Sequence, residues 1–248
     1  MYFGGVASHS PPPAFLRLAA HPLRWRLLTA LATSDHRVRD LVTLTGEPQN
    51  LVSYHLRLLR QGGLATTTRS TFDGRDTYYH LDLDRCADAL TSAGAALHPA
   101  LRPAVVTGGG ITRARVLFVC TGNSARSPIA EALLRHRTGH RVEVTSAGNR
   151  PRTGGLHPHT VRVLRDEYGI DVSGRQPRHW DTLTGRRFDY VISLCDRARE
   201  ACPDFPGDPR RAHWSLPAPG DYADHVRIAA DIDTRIRHLR PLLEEAQP

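Results

Sequence analysis

The apolar positions of the first quarter of the chain recur three or four residues apart, which is helical spacing. Residues 14–32 follow this spacing, and His21-Pro22 divides them into two helices because proline interrupts a helix interior. A short helix is predicted near residues 38–44, and another over residues 49–60, where two glycines end it. The pattern therefore predicts four helices before the first strand.

A different pattern follows, in which two strand-forming segments flank a turn. Residues 64–71 and 76–83 are predicted strands, and the Asp73-Gly74 pair between them is typical of a hairpin turn. Two helices joined by a glycine-containing turn and then a hairpin make a winged helix-turn-helix. An alanine-rich helix is predicted over residues 85–97, and prolines and a triple glycine come after it.

From residue 113 onward, valine-rich segments alternate with amphipathic ones. This alternation predicts an α/β domain with a parallel four-stranded sheet covered on both faces, following the mainly-α winged helix. The predicted strands are residues 115–119, 141–146, 190–194 and 212–216, and the predicted helices are 128–137, 159–168, 197–202 and 221–246. The predicted domains are a flexible tail (1–13), a winged-helix domain (14–98), a linker (99–112) and the α/β domain (113–248).

Charge and composition add a class of partner. The formal net charge is +8, and every one of the 33 basic residues is arginine, which suits phosphate-bearing partners, nucleic acid above all, or reflects a GC-rich genome. No apolar run approaches the roughly 20 residues of a membrane span, and the start lacks a signal-peptide pattern. The four cysteines are too few and scattered for a disulfide framework. We expect a cytoplasmic protein.

The strongest candidate for chemistry is the loop after the strand near residues 115–119. Its strand-to-helix geometry directs backbone N–H groups and the positive end of a helix dipole at one point, where a tetrahedral oxyanion would bind. The same field favours the thiolate of Cys120, a candidate nucleophile, and Arg126 can donate to two oxygens of the anion. The predicted oxyanion-binding residues are Thr121, Gly122, Asn123, Ser124, Ala125, Arg126 and Ser127.

Two further cysteines follow a later strand. Cys195 emerges at the carboxyl end of the strand near residues 190–194, as Cys120 does at its own, and Cys202 lies beyond a short polar segment. Their Cα atoms must come within about 7 Å for a disulfide to form. The spacing is compatible with a redox pair after some rearrangement. Cys86 lies in a predicted helix between charged residues, and we treat it as a bystander.

Around residues 14–84 the chain resembles the ArsR-type transcriptional repressors, in Ala20-His21-Pro22-Leu23-Arg24, in Val52-Ser53-Tyr54-His55-Leu56-Arg57-Leu58-Leu59 and in Gly63-Leu64. The resemblance implies a homodimer that binds operator DNA with the helix over residues 48–61 in the major groove. The residues it places on bases or phosphates are Gln49, Asn50, Ser53, Tyr54, Arg57, Arg69 and Arg75. A winged helix used only for dimerisation or protein contact is the alternative. Residues 35–41 lack the cysteine pair of metal-sensing relatives, so we predict no metal.

The second half resembles the thioredoxin-coupled arsenate reductases, which share the low-molecular-weight tyrosine phosphatase fold. The resemblance lies in Cys120 with Arg126, in Ser146-Ala147-Gly148, and in the segments around Cys195, Cys202 and His213-Trp214. It implies that Cys120, Arg126, Cys195 and Cys202 are catalytic: Cys120 attacks arsenate, Cys195 attacks Cys120, and Cys202 attacks Cys195. External thioredoxin then reduces the disulfide, and no bound cofactor is expected.

Two departures from the reductase pattern alter the expectation. Ala218 stands where both related families place an aspartate that protonates the leaving oxygen, so we expect slow arsenate reduction and weak phosphatase activity. Asn123, Glu131 and Ser146 match a potassium site of some reductases, but Arg178 replaces its aspartate, and we expect that guanidinium to take the place of the ion. The alternatives are a tyrosine phosphatase, or a thiol-based arsenic or redox sensor that controls the attached repressor without turnover.

Overall fold

The computed structural model describes residues 11–70, 74–98, 101 and 114–244, and it divides into two compact units. Among these residues, the first unit contains 11–32, 38–66, 79–98 and 101. The second contains 114–244 together with two segments from the first half of the chain, 33–37 and the described part of 67–78. Most of the predicted tail and of the predicted linker lies outside the described residues.

The first half of the chain forms the predicted helices and the two strands of the predicted hairpin, whose turn residue Asp73 lies outside the described residues. Its helices are α1 (Ala14–Ala19), α2 (Pro22–Thr33), α3 (Val38–Thr45), α4 (Gln49–Gln61) and α5 (Leu83–Leu97). Its strands are β1 (His36–Arg37), β2 (Ala65–Arg69) and β3 (Thr77–Leu81), in sheet order β1-β3-β2. The break at His21-Pro22 is confirmed. The sequence did not indicate β1, because two residues are too few to show a period.

Helix α4 has one buried and one exposed face. Val52, Leu56 and Leu59 are fully buried in the core of the first unit, as the spacing of three and four residues requires. The opposite face carries polar side chains and Tyr54, which is 47% exposed. Apolar burial on one side therefore fixes which residues of α4 point outward.

The α/β half has the predicted alternation. Its strands are β4 (Arg115–Cys120), β5 (Glu143–Gly148), β6 (Tyr190–Ser193) and β7 (Arg210–His213). Its helices are α6 (Arg126–Arg137), α7 (Pro158–Tyr168), α8 (Asp196–Ala201) and α9 (Tyr222–Glu244), with a 3-10 turn at Trp180–Leu183. The four strands are parallel in the order β5-β4-β6-β7, which confirms the predicted fold class. Strand β7 ends earlier than predicted, at His213, because its partner β6 ends at Ser193.

The register of the two central strands places the cysteines together. Val119 of β4 pairs with Ser193 of β6, so Cys120 and Cys195 leave neighbouring strands at the same carboxyl edge. The sheet interior is apolar, with Phe118 and Ile192 fully buried. None of the described helices is long and apolar enough to cross a membrane.

Segment 33–37 belongs to the second unit through buried polar contacts. The backbone N–H of Asp35 donates to the His213 carbonyl at 2.7 Å. The Asp35 carboxylate accepts the Ser215 N–H at 2.7 Å and the Arg235 guanidinium at 3.1 Å, and Asp35 is only 3% exposed. These bonds satisfy a buried charge that would otherwise be unfavourable.

Candidate active site

The loop between β4 and α6 has its peptide groups oriented by bonds to residues 150–157. The carbonyls of Thr121, Gly122 and Ser124 accept the backbone N–H groups of residues 150, 152 and 157, each at 2.9 Å. A trans peptide holds its N–H opposite its carbonyl, so the amides of residues 122, 123 and 125 point to the other side of the loop. Helix α6 begins there without a side-chain cap, which leaves its first amides available to an anion.

Asn123 holds this loop in a conformation that most residues avoid. Its φ is 43°, in the left-handed region that asparagine tolerates better than bulkier residues do. Its side-chain oxygen accepts the Arg178 backbone N–H at 2.8 Å, which fixes the orientation of the amide. The Nδ2 group can then donate to Ser127 Oγ at 3.0 Å and to Ser146 Oγ at 2.9 Å. Asn123 is therefore a structural centre of the predicted oxyanion loop.

The thiol of Cys120 lies at the start of this loop and is buried. Its Sγ is 2.9 Å from Ser127 Oγ. Because Ser127 Oγ already accepts from the Asn123 amide, its hydroxyl hydrogen is free to donate to sulfur. The Ser127 hydroxyl thus holds the sulfur at the start of the loop, and this contact supports a nucleophilic role for Cys120.

The guanidinium of Arg126 lies beside the segment that follows β7. Its Nη1 donates to the Leu216 carbonyl at 2.9 Å, immediately before the Pro217-Ala218-Pro219 loop. Arg126 starts α6, so the first turn of that helix carries it toward the loop that Cys120 opens. An oxyanion bound to the loop amides would lie within the field of both the helix terminus and this cation.

A buried carboxylate network supports the loop from behind. Ser146 Oγ donates to Glu131 at 2.7 Å, and Glu131 is 3% exposed. Two guanidinium groups compensate its charge: Arg135 donates at 2.8 Å, and Arg175 also bonds to it. We expected the Arg178 guanidinium to take the place of a potassium ion, and this expectation was wrong. Arg178 bonds to the network through its backbone N–H, and Arg175 supplies the guanidinium instead.

The contacts of Glu131 do not fit a monovalent cation at the position that matches the potassium site of some reductases. The Glu131 carboxylate that would hold such an ion already accepts two arginine side chains. A third cation beside them would meet like-charge repulsion in a buried environment. Among the described residues, no three or more His, Cys, Asp or Glu side chains converge as metal ligands would.

Gly148 lets two segments of the site approach closely. It ends β5 opposite Cys120, and a Cβ at this position would lie 2.5 Å from the Thr121 carbonyl oxygen and 2.7 Å from that of Cys120. Only glycine fits there without moving the loop. The sequence contained no local signal for this role, which depends on the pairing of β4 with β5.

The second predicted cysteine lies beside the loop, and the third lies beyond a helix. Cys195 Sγ is 3.4 Å from Thr121 Oγ1, and Cys195 is the N-cap residue of α8. Cys202 is the C-cap residue of the same helix. Burial raises the pKa of the Cys202 thiol, and the nearby Arg211 only partly offsets that effect. Burial also raises the pKa of Cys86 to about 11, which agrees with its treatment as a bystander.

The loop that carries Ala218 offers no acid of its own. Ala218 is followed by two acids that are engaged at the start of α9. Asp221 accepts the Asp224 backbone N–H at 2.8 Å, and Asp224 accepts that of Gly220 at 2.9 Å. These bonds cap the helix, the role that carboxylates commonly take there.

The predicted DNA-binding residues lie on the winged helix as the resemblance implies. On α4 the exposed ones are Gln49, Asn50, Tyr54 and Arg57, and Ser53 is half-buried among them. The Arg57 guanidinium lies 5.4 Å from the centre of the Tyr54 ring. Arg69 and Arg75 are exposed on the hairpin. Their contact with DNA remains a prediction.

The site combines a buried thiol at the carboxyl edge of a parallel sheet with a loop whose amides face away from its bonded carbonyls and with an arginine, an arrangement suited to thiol chemistry on an oxyanion. A family model for the low molecular weight phosphotyrosine protein phosphatases matches residues 115–246, and one for bacterial regulatory proteins of the arsR family matches residues 21–67. The chain belongs to the low molecular weight phosphotyrosine protein phosphatase family and carries an ArsR-type helix-turn-helix. Both predicted resemblances are confirmed.

Several known proteins are similar to this chain over half of its length or more. An arsenate reductase of Bacillus cereus is 33% identical over 124 residues, covering 49% of this chain and 90% of the relative. An arsenate reductase of Brevibacillus brevis is 34% identical over the same length and coverage. Among solved structures, a thioredoxin-dependent arsenate reductase of Corynebacterium glutamicum is 26% identical with a TM-score of 0.46, covering 89% of this chain and 98% of its own.

Replacement of Gly148 by alanine tests the close approach. We expect Gly148→Ala to displace the Thr121 carbonyl, to lower the free energy of unfolding by about 1–3 kcal/mol, and to weaken the binding of inorganic phosphate measured by calorimetry. Gly185→Ala is the control, because a Cβ at Gly185 meets nothing within 4 Å. Equal phosphate affinity in the two variants would contradict this account of the loop.

Proposed function

We propose that the α/β domain reduces arsenate to arsenite through Cys120, Cys195 and Cys202, and that the attached winged helix binds operator DNA as a transcriptional regulator. The observation that carries the enzymatic part is the position of two further cysteines around one short helix at the edge where Cys120 opens the oxyanion loop. A phosphatase needs only the first of these thiols. The relatives named arsenate reductases support the same choice.

The first step forms a bond between sulfur and arsenic. Arsenate binds to the amides of the loop and to Arg126, and the Cys120 thiolate, held by the Ser127 hydroxyl, attacks arsenic. One oxygen leaves as water after protonation. The protonating group is not an aspartate at residue 218, so solvent supplies this proton and the step is slow.

The second step transfers two electrons to arsenic. The Cys195 thiolate attacks the Cys120 sulfur, the pair of electrons of the S–As bond passes to arsenic, and arsenite leaves. The Thr121 hydroxyl, 3.4 Å from Cys195 Sγ, supports the orientation of the attacking sulfur. Cys202 then attacks Cys195, releases Cys120 as a thiolate, and leaves a disulfide that the dithiol of external thioredoxin reduces.

The regulatory part rests on the winged helix. Its outward face on α4 combines amide, hydroxyl, aromatic and guanidinium groups, which suits contacts with base edges and phosphates. The arginines on the hairpin suit contacts with the phosphate backbone. DNA-binding proteins with this module commonly bind as dimers, and we propose a homodimer on the operator.

Single cysteine variants test the order of the thiol steps. Cys120→Ser should reduce arsenite formation to the uncatalysed level, because no S–As bond forms. Cys202→Ser should release at most one arsenite per chain and then stop as a Cys120–Cys195 disulfide, measured by arsenite assay and peptide mass. Cys86→Ser should match the unaltered chain. Repeated turnover of Cys202→Ser with thioredoxin would exclude the proposed relay.

Restoration of an acid tests the reason for slow turnover. We expect Ala218→Asp to raise phosphatase activity by about 10²-fold on phenyl phosphate, whose leaving group needs a proton, and by less on 4-nitrophenyl phosphate. Ala218→Asn is the matched control because it cannot donate an acidic proton. If Ala218→Asp changes nothing and Asp221→Asn abolishes the activity, the acid has been wrongly assigned.

The salt dependence of DNA binding tests the regulatory part. Binding to a duplex from the region upstream of the encoding gene should weaken steeply with salt, and Arg57→Ala should reduce the logarithmic salt slope by about 1. Arg165→Ala, on α7 of the catalytic domain, should leave the slope unchanged. Fluorescence anisotropy over a salt series measures both. Binding that is absent, or insensitive to salt, would remove the regulator from the proposal.

A further inference from the structure

The short helix α8 makes two kinds of connection within the second unit. Cys195 is its N-cap residue, and Cys202 is its C-cap residue. Its side chains contact segments 33–37 and 67–78, which belong to the same unit although they come from the first half of the chain. The helix that a disulfide between the two cysteines would span therefore also contacts the hairpin of strands β2 and β3, which we call the wing.

The contacts of the last turn of α8 are charged. The Arg199 guanidinium donates to the Tyr78 hydroxyl at 3.0 Å, and Tyr78 on β3 is only 1% exposed. Glu200 accepts the Arg37 guanidinium at 3.1 Å, and Arg37 also bonds to Asp76 at 3.1 Å. Because the Arg37 side chain is only 12% exposed, its ion pairs are weakly screened by solvent.

The first residue of α8, Asp196, is buried and makes several hydrogen bonds. The Asp196 carboxylate is 3% exposed and lies 3.1 Å from His213 Nε2 and 2.8 Å from Ser215 Oγ. The Ser70 side chain, next to the end of β2, also bonds to it. Burial disfavours the ionised form, but these three hydrogen bonds outweigh that penalty and lower the pKa of Asp196 to about 2. The carboxylate is thus ionised and tied to the wing at neutral pH.

The disulfide cannot form while α8 stays intact. Seven residues at 1.5 Å rise separate the Cα atoms of Cys195 and Cys202 by about 10 Å along a helix axis. A disulfide requires a separation below about 7 Å. The chain between the two cysteines must therefore unwind, and the side chains of residues 196, 199 and 200 must leave the positions that meet the wing.

We propose that formation of the Cys195–Cys202 disulfide unwinds α8 and releases the wing, so that the oxidised chain binds DNA more weakly than the reduced chain. The residues affected are Arg69 and Arg75, which directly precede Ser70 and Asp76 in the hairpin. Their phosphate contacts need a hairpin held in one conformation. In cells the oxidant is arsenate, and this part of the proposal rests on the proposed reductase activity.

Formation of the disulfide needs an oxidant that accepts two electrons. Two thiols lose two protons and two electrons and form one S–S bond. Under the proposed function, arsenic takes the electrons as As(V) becomes As(III), and arsenate oxygen leaves as water. In the test, a diazene reagent such as diamide takes the same two electrons and two protons and becomes a hydrazine.

Hydrogen exchange of the full chain decides the structural part of the proposal. In a Cys120→Ser background, which prevents competing disulfides with Cys120, diamide treatment should accelerate amide exchange of residues 65–81 by about tenfold or more. Peptide mass verifies the disulfide. The same treatment of Cys120→Ser/Cys202→Ser should change nothing. Exchange that accelerates only within residues 195–202, with the disulfide formed, would overturn the proposal.

DNA affinity and an uncoupling variant test the consequence. Oxidation should raise the dissociation constant for the upstream duplex several-fold in Cys120→Ser and leave it unchanged in Cys120→Ser/Cys202→Ser. Tyr78→Phe removes the hydroxyl that accepts Arg199 and should accelerate exchange of residues 65–81 in the reduced chain. An equal dissociation constant in both redox states would overturn the regulatory claim.

The outcomes separate this inference from the proposed function. If diamide releases the wing but arsenate forms no disulfide in the unaltered chain, the reductase activity fails and the structural switch stands. If arsenate is reduced but residues 65–81 keep their slow exchange in the oxidised chain, the reductase stands and the switch fails.

Discussion

The site depends on one constraint, the fixed orientation of the peptide groups between β4 and α6. Three carbonyls of that loop bond to backbone N–H groups of residues 150–157, which turns the intervening amides to the opposite side. The constraint is non-local, since the donors lie on the segment after β5. Gly148, at the end of that strand, lets the loop come within a distance that a side chain would prevent. The direction of the loop amides and the environment of Cys120 follow from this arrangement.

Charge compensation behind the loop is the second requirement. A buried carboxylate, Glu131, accepts Ser146, Arg135 and Arg175, and through Ser146 it holds the Asn123 amide. Removing any one cation would leave a buried charge incompletely compensated. Two guanidinium groups thus compensate this buried carboxylate.

The helix between the second and third cysteines, α8, is short and is held mainly by its side chains. A helix of six residues has few internal hydrogen bonds, so its stability comes mostly from the contacts of its side chains. Here those contacts include buried partners in segments from the first half of the chain. A short helix of this kind unwinds easily. A covalent change at its ends would therefore disturb the segments that its side chains contact.

The sequence by itself indicated the order of the longer helices and strands, the parallel sheet, the winged helix and the position of Cys120 at the start of a strand-to-helix loop, because local periodicity and adjacent residues encode these features. Tertiary structure decided which arginine meets Glu131: Arg175 is 44 residues away, and the expected Arg178 contributes only its backbone. It also decided the role of Gly148 and the membership of residues 33–37 in the second unit. The physical reason is that strand register and buried polar pairing join positions distant in sequence, and no local pattern records them.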